Sequence, residues 1–384
     1  MFNQRIRSFI GKTMSGAMLL LASVAGFGEE RIRAIDILTE PIARKYLAES
    51  NPKKWDYAHY GSTEKFKYID DAAAEQLGKY RGSLLLSGLT KLSDKAAAAL
   101  GKHQGSLDLT GLIALSEAAA AGLGKHQGGL QLQGLTTISD TAAVELAKSR
   151  GDLSLAGLTE LTVGAAEALA KHEGGDLRFW YLKSLSDGAA TALAKRPGKL
   201  SIGITSLSDT AAAELAKGKC SFRFARLDAL SVEAAAALAT SKGDLDLSVL
   251  TSLSEAVAKA LAQHQGNKLD LSGLTQLSDG AAVALAKYKG SLTIGGSFRN
   301  GRIERFRLSK SVAAALAKHK GKQLRLDGVI SLTEDEAVAL AEHRGILSLR
   351  GLEILADAEA AELVRHQGEL ELEGRAKMAV DKFR

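Results

Sequence analysis

The chain has 384 residues, of which 46% are hydrophobic but only 5% aromatic, so a core must be filled mainly by leucine and alanine. Fifty basic residues against 44 acidic ones leave a net charge of +6, too close to balance over this length to mark a nucleic-acid-binding protein by charge alone. A single cysteine, Cys220, excludes an internal disulfide and a cysteine-based zinc site, and by its place at a repeat edge it reads as a small buried apolar residue.

Residues 1–28 place Arg5, Arg7 and Lys12 ahead of an apolar run from Ala17 to Phe27, a pattern that fits a signal peptide or an N-terminal apolar helix. The run falls short of the roughly 20 residues that a stable transmembrane helix needs. Gly11-Lys12-Thr13 is no phosphate loop, because the glycine required five positions before it falls on Ile6. Residues 29–64 read as a helical cap and linker: Ile32, Ile35, Leu38, Ile42 and Leu47 recur at helical spacing across Pro41, and a polar, aromatic connection with Trp55 and Tyr60 follows.

From residue 65 to 374 one unit recurs about 13 times, with a period of 23 or 24 residues where it is regular. SLLLSGLTKLSDKAAAALGKHQG, from Ser83 to Gly105, is its clearest copy. Leu84, Leu86 and Leu89 alternate as a short strand with one buried face, and Ser93-Asp94 supplies a helix N-cap and an acid at the positive end of the dipole. An alanine-rich helix follows, closed by Lys102 and His103, with Gly105 expected to end it in the left-handed conformation. One strand and one short helix cannot bury their apolar sides alone, so the units must stack strand beside strand and helix beside helix.

In the unit at Gly129 these positions are Leu130, Leu132, Thr136, Ile138, Ser139, Asp140, Leu146 and Ala147, and the pattern resembles the leucine-rich repeat family, chiefly its cysteine-containing branch. It is also similar to GLTxLSxxAAxALAKHxG repeats of bacterial proteins of unassigned function. The resemblance implies an α/β solenoid, a horseshoe with parallel strands on the concave face and short alanine-rich helices on the convex face. The array reads as a protein-binding scaffold, and because a search for a Ser-His-Asp set, paired carboxylates and metal-ligand spacing finds only residues that the unit itself repeats, no enzymatic activity and no cofactor are expected. Two features depart from the family: Gly88-Leu89 replaces its asparagine or cysteine, and there is no cysteine ladder.

The array loosens in the middle. Trp180 and Tyr181 replace small residues, the unit from Lys199 is one residue short, and Phe222 and Phe224 replace leucines. A glycine-rich basic insertion spans 295–307 and holds Phe298, Arg299, Arg302, Arg305, Phe306 and Arg307. Glu369 to Glu373 reads as a last strand without its helix, and 375–384 as a C-terminal tail.

Three constellations are candidates for function. On the concave face, Trp180 with Arg178 and Arg223 is expected to form the centre of a partner-binding surface that extends to Asp246, Asp270 and Arg325. Arg299, Arg302, Arg305 and Arg307 offer an alternative anion or nucleic-acid site. Seven histidines, His103, His126, His172, His264, His319, His343 and His366, share one position at the helix end, where they read as surface caps that compensate the dipole rather than as a metal ladder. The expected partner is a protein, not nucleic acid, and the expected state is a monomer. An exported structural spacer remains the other reading, and both export and cytoplasmic residence stay open.

Overall fold

The computed structural model describes residues 36–49, 65–296, 298–299, 302–303 and 305–384. The segment 1–28, read as a signal peptide or apolar helix, lies outside them, as does the connection from 50 to 64. Within them the repeats form one open sheet of 13 parallel strands in sequence order, from Leu84–Leu85 to Leu370–Glu371. Each strand is short, and its register is set by the leucine pair: Leu84 lies against Leu107, Leu107 against Leu130 and Leu130 against Leu153.

The alternation read from the sequence holds in space. Leu84, Leu86 and Leu89 are buried, whereas Leu85 between them is not. Each helix packs on the next along the other side, and alanines fill that contact: Ala96, Ala97 and Leu100 of the helix Asp94–Leu100 are wholly buried. Burying one leucine side chain contributes roughly 1.5–3 kcal/mol, and the repeat supplies several per unit.

The Ser-Asp pairs bind neighbouring repeats together as well as starting helices. Ser93 Oγ accepts the Ala96 N–H (3.0 Å) and donates to Asp71 Oδ1 of the preceding helix (2.5 Å). The same donation recurs from Ser116 to Asp94, Thr162 to Asp140, Ser208 to Asp187 and Ser231 to Asp209.

The glycines that close the helices behave differently from the sequence expectation. Among the described residues only Gly198, Gly295, Gly296 and Gly374 have positive φ, so Gly105 and most of its equivalents do not take the left-handed conformation. They are glycine because the backbones stack: a Cβ on Gly105 would stand 2.2 Å from the Gly82 carbonyl oxygen, and one on Gly128 would stand 2.0 Å from that of Gly105.

At the N-terminal end, Ile37–Leu38 is a strand paired in parallel with Tyr68–Ile69, and the helix Glu40–Glu49 packs on Asp71–Leu77. The apolar spacing read as a helical cap is thus itself a strand and a helix, with Pro41 in the first turn, where the missing N–H costs nothing. At the other end, the last strand does have a helix, Gly374–Asp381, reached directly through Gly374 (φ +54°) and seated by Ala376 and Val380.

Candidate functional site

Between the buried leucines of each strand one side chain points to the open face, and the register aligns these into a single column. It begins at Leu85 and Asp108, runs through Arg178, Ser201, Arg223, Asp246, Asp270, Thr293 and Arg325, and ends at Glu371. The sequence-predicted residues Arg178, Arg223, Asp246, Asp270 and Arg325 therefore do share one face.

They are not free charges, however. Arg178 Nη2 donates to Asp152 (2.6 Å) and to Asp176 (3.2 Å). Burial alone would raise the Asp152 carboxyl, but the Asp176 N–H and the Arg178 guanidinium together hold it below its ordinary value. Arg223 pairs with Asp246 (3.5 Å), Lys268 with Asp270 (3.0 Å), and Arg325 with Asp327 (3.3 Å) and Glu371 (3.9 Å). Pairs this close to solvent contribute about 0.2–1 kcal/mol each, so they order the face without locking it.

The aromatic centre stands out from this polar face. Trp180 is 39% exposed and Tyr181 is 56% exposed, whereas Phe179, Phe222 and Phe224 are wholly inside. Arg226 lies over the Tyr181 ring at 5.4 Å, although the two belong to units two repeats apart. The short unit between them explains the contact: Gly203 is followed at once by Ile204, so no side chain stands between the ring and the guanidinium. Gly203 also lets the chain pass close to Trp180, since a Cβ there would meet the Trp180 carbonyl oxygen. Sequence reasoning found Trp180 and missed Arg226, and the missing residue in the unit from Lys199 was the signal for it.

The arginine insertion leaves the sheet after Ile294 and returns at Phe306. Its backbone forms an antiparallel pair that sets Phe298 opposite Ile303 and Arg299 opposite Arg302. Arg305 and Arg307 are exposed. Phe306, read as a loop aromatic, is instead a core residue at 4% exposure, occupying the place that Leu89 has in its unit, because its N–H bonds to the Gly328 carbonyl (2.8 Å) and draws the side chain inward.

The histidines are not on the surface. All seven are buried, and those in consecutive units stack, His103 on His126 at 5.6 Å and His319 on His343 at 6.1 Å. Each of several Nε2 atoms meets the glycine carbonyl of the preceding unit, as from His103 to Gly82 (2.7 Å) and from His366 to Gly345 (3.1 Å). The stacked rings lie parallel, so their nitrogens do not converge; among the described residues His126 and His264 have no hydrogen-bond partner at either ring nitrogen, and no three metal-ligating side chains converge.

The column changes at mid-array in a size-matched way. Arg196 replaces histidine, is 1% exposed, and its guanidinium donates to the carbonyls of Pro197 (2.7 Å), Lys199 (2.8 Å) and Gly175. In the next unit Gly218 stands where the imidazole would be and Cys220 where the glycine would be. Cys220 is wholly buried, and burial pushes its thiol up to about 11, which leaves no thiolate for chemistry at neutral pH.

No protein-family model matches the sequence, and no curated protein matches it. Among solved structures, the fold is similar to that of an internalin from Listeria monocytogenes, at 15% identity and a TM-score of 0.42, over 85% of this chain and 91% of that one. It is also similar to a leucine-rich-repeat protein from Leptospira interrogans, at 16% identity and a TM-score of 0.37, over 97% and 92%. On its own in-register sheet and recurring strand-helix unit, the chain is a solenoid of the leucine-rich-repeat type.

Proposed function

We propose that this protein is a non-enzymatic scaffold that binds a protein partner through the open face of its sheet, centred on Trp180 and Tyr181. The observation that carries this reading is an exposed tryptophan and tyrosine side by side on a face whose neighbouring arginines, Arg178 and Arg223, are charge-paired. Trp and Tyr gain most where a partner desolvates them, and a rigid array loses little entropy on binding. Arg178, Arg223, Asp246, Asp270 and Arg325 would form the polar surround, exchanging their internal pairs for pairs with the partner.

The test is selection of binders from a displayed protein-fragment library against the native chain, followed by titration against Trp180→Ala/Tyr181→Ala and against Arg365→Ala on the helix side. Binders weakened at least about tenfold by the double change alone support the reading. Binders that ignore it place the interaction elsewhere and remove it.

A further inference from the structure

The near balance of charge conceals a segregation that the stack creates. Helices packed in one direction bring all their C-terminal ends to one edge of the array, where the column residue, buried in every unit except at Tyr80 and Gly218, is flanked by two exposed positions, as His103 is by Lys102 and Gln104. Over the 13 units from Lys79 to Gln367, seventeen of those 26 flanking positions are Lys or Arg and two are acidic. Those positions therefore carry an excess of fifteen positive charges in a chain whose overall excess is six. Of them, Lys148, Lys217 and Arg365 pair with Glu145, Glu214 and Glu362 in the last helical turn. At the opposite ends of the helices the first-turn acids are engaged by the Ser and Thr hydroxyls of the next unit.

We infer that this basic edge binds an anionic polysaccharide laid along the array. Lys102, Lys125, Lys171 and Lys195 are exposed and have no carboxylate partner among the described residues. The stacked rings beside them measure the repeat pitch at this edge, 5.6 Å between His103 and His126 and 6.0 Å between His343 and His366. A groove of about 540 Å³ opens on it at mid-array between consecutive helix ends, lined by Lys171 and Lys195 with Glu167, Glu173 and Pro197.

One feature favours a polysaccharide over nucleic acid. None of the 26 positions is aromatic, so bases would find no stacking platform, which single-strand binders depend on.

The test uses the whole chain, with dextran sulfate as the probe and single-stranded oligo-dT of equal charge as the second arm, titrated over a range of salt. Lys102→Gln/Lys125→Gln/Lys171→Gln/Lys195→Gln is compared with Arg299→Gln/Arg302→Gln/Arg305→Gln/Arg307→Gln, which removes equal charge from the other end of the strands. The expected result is salt-sensitive binding of dextran sulfate by the native chain. The lysine variant should lower the slope of log Kd against log salt by about three and weaken binding at least about tenfold, while the arginine variant stays within about twofold. Lysine acetylation of the native chain reads the same contact without a variant, as protection of these four lysines by dextran sulfate. The inference falls if the native chain does not bind, if both variants lose binding equally, if only the arginine variant loses it, or if oligo-dT binds more tightly through the same lysines.

Discussion

Ser93 donates its hydroxyl to the Asp71 carboxylate one repeat away while accepting the Ala96 N–H of its own helix. One side chain thus caps a helix and fastens that helix to its neighbour, so the cost of losing it depends on the previous unit. Ser186 caps its helix alike, but the preceding helix opens with Val163 and offers no carboxylate. Ser186→Ala should cost about 1 kcal/mol for the lost cap, and Ser93→Ala about 2 kcal/mol because Asp71 also loses its donor. Urea unfolding of the two variants checks the difference, and equal costs would show that the cross-repeat bond contributes nothing.

The buried histidines make stability depend on pH. Burial lowers His103, His126, His172, His264, His319 and His343 below the ordinary 6.5, and for His126, His319 and His343 a neighbouring imidazole lowers it further. The folded chain therefore binds fewer protons than the unfolded chain as pH falls through 6.5 and below, so the stability present above that pH is lost on acidification. Asp244 opposes the effect at His264, and Arg196 adds to it at His172. Urea midpoints should be flat between about pH 7 and 9 and fall below about pH 6. Replacing His103 and His126 by glutamine should reduce that fall, and a midpoint insensitive to acid would refute the account.

Adjacent glycines should differ sharply. A Cβ on Gly128 would stand 2.0 Å from the Gly105 carbonyl oxygen, whereas one on Gly129 meets nothing nearer than Ser106 Oγ at 3.6 Å. Gly128→Ala should cost about 1–3 kcal/mol, the range for forced overpacking, and Gly129→Ala less than about 0.5 kcal/mol. Thermal melts decide, and similar values would mean the backbone stack relaxes freely.

Cys220 should resist thiol reagents in the folded state. Its thiol is wholly buried and pushed up to about 11 by burial, against the opposing pull of Arg196. The native chain should react with a disulfide reagent only as fast as it unfolds, and fully in urea. Rapid labelling of the native chain would place the thiol at the surface.

Local chemistry made most of the fold legible. Alternating Leu84 and Leu86, the Ser93-Asp94 cap and the alanine run are short-range signals, and a fixed period obliges units that cannot bury their faces alone to stack. The sequence by itself therefore determined the strand-helix unit, its number of copies within a few, and which side chains share the open face. Tertiary structure alone decided what those side chains meet. A periodic string cannot show that Gly105 is required by the Gly82 carbonyl above it, that the helix-end histidines face inward, that Arg178 lies between two carboxylates, or that one missing residue brings Arg226 over Tyr181. Each of these joins residues from different units, and the spacing between units is fixed only when the backbones stack.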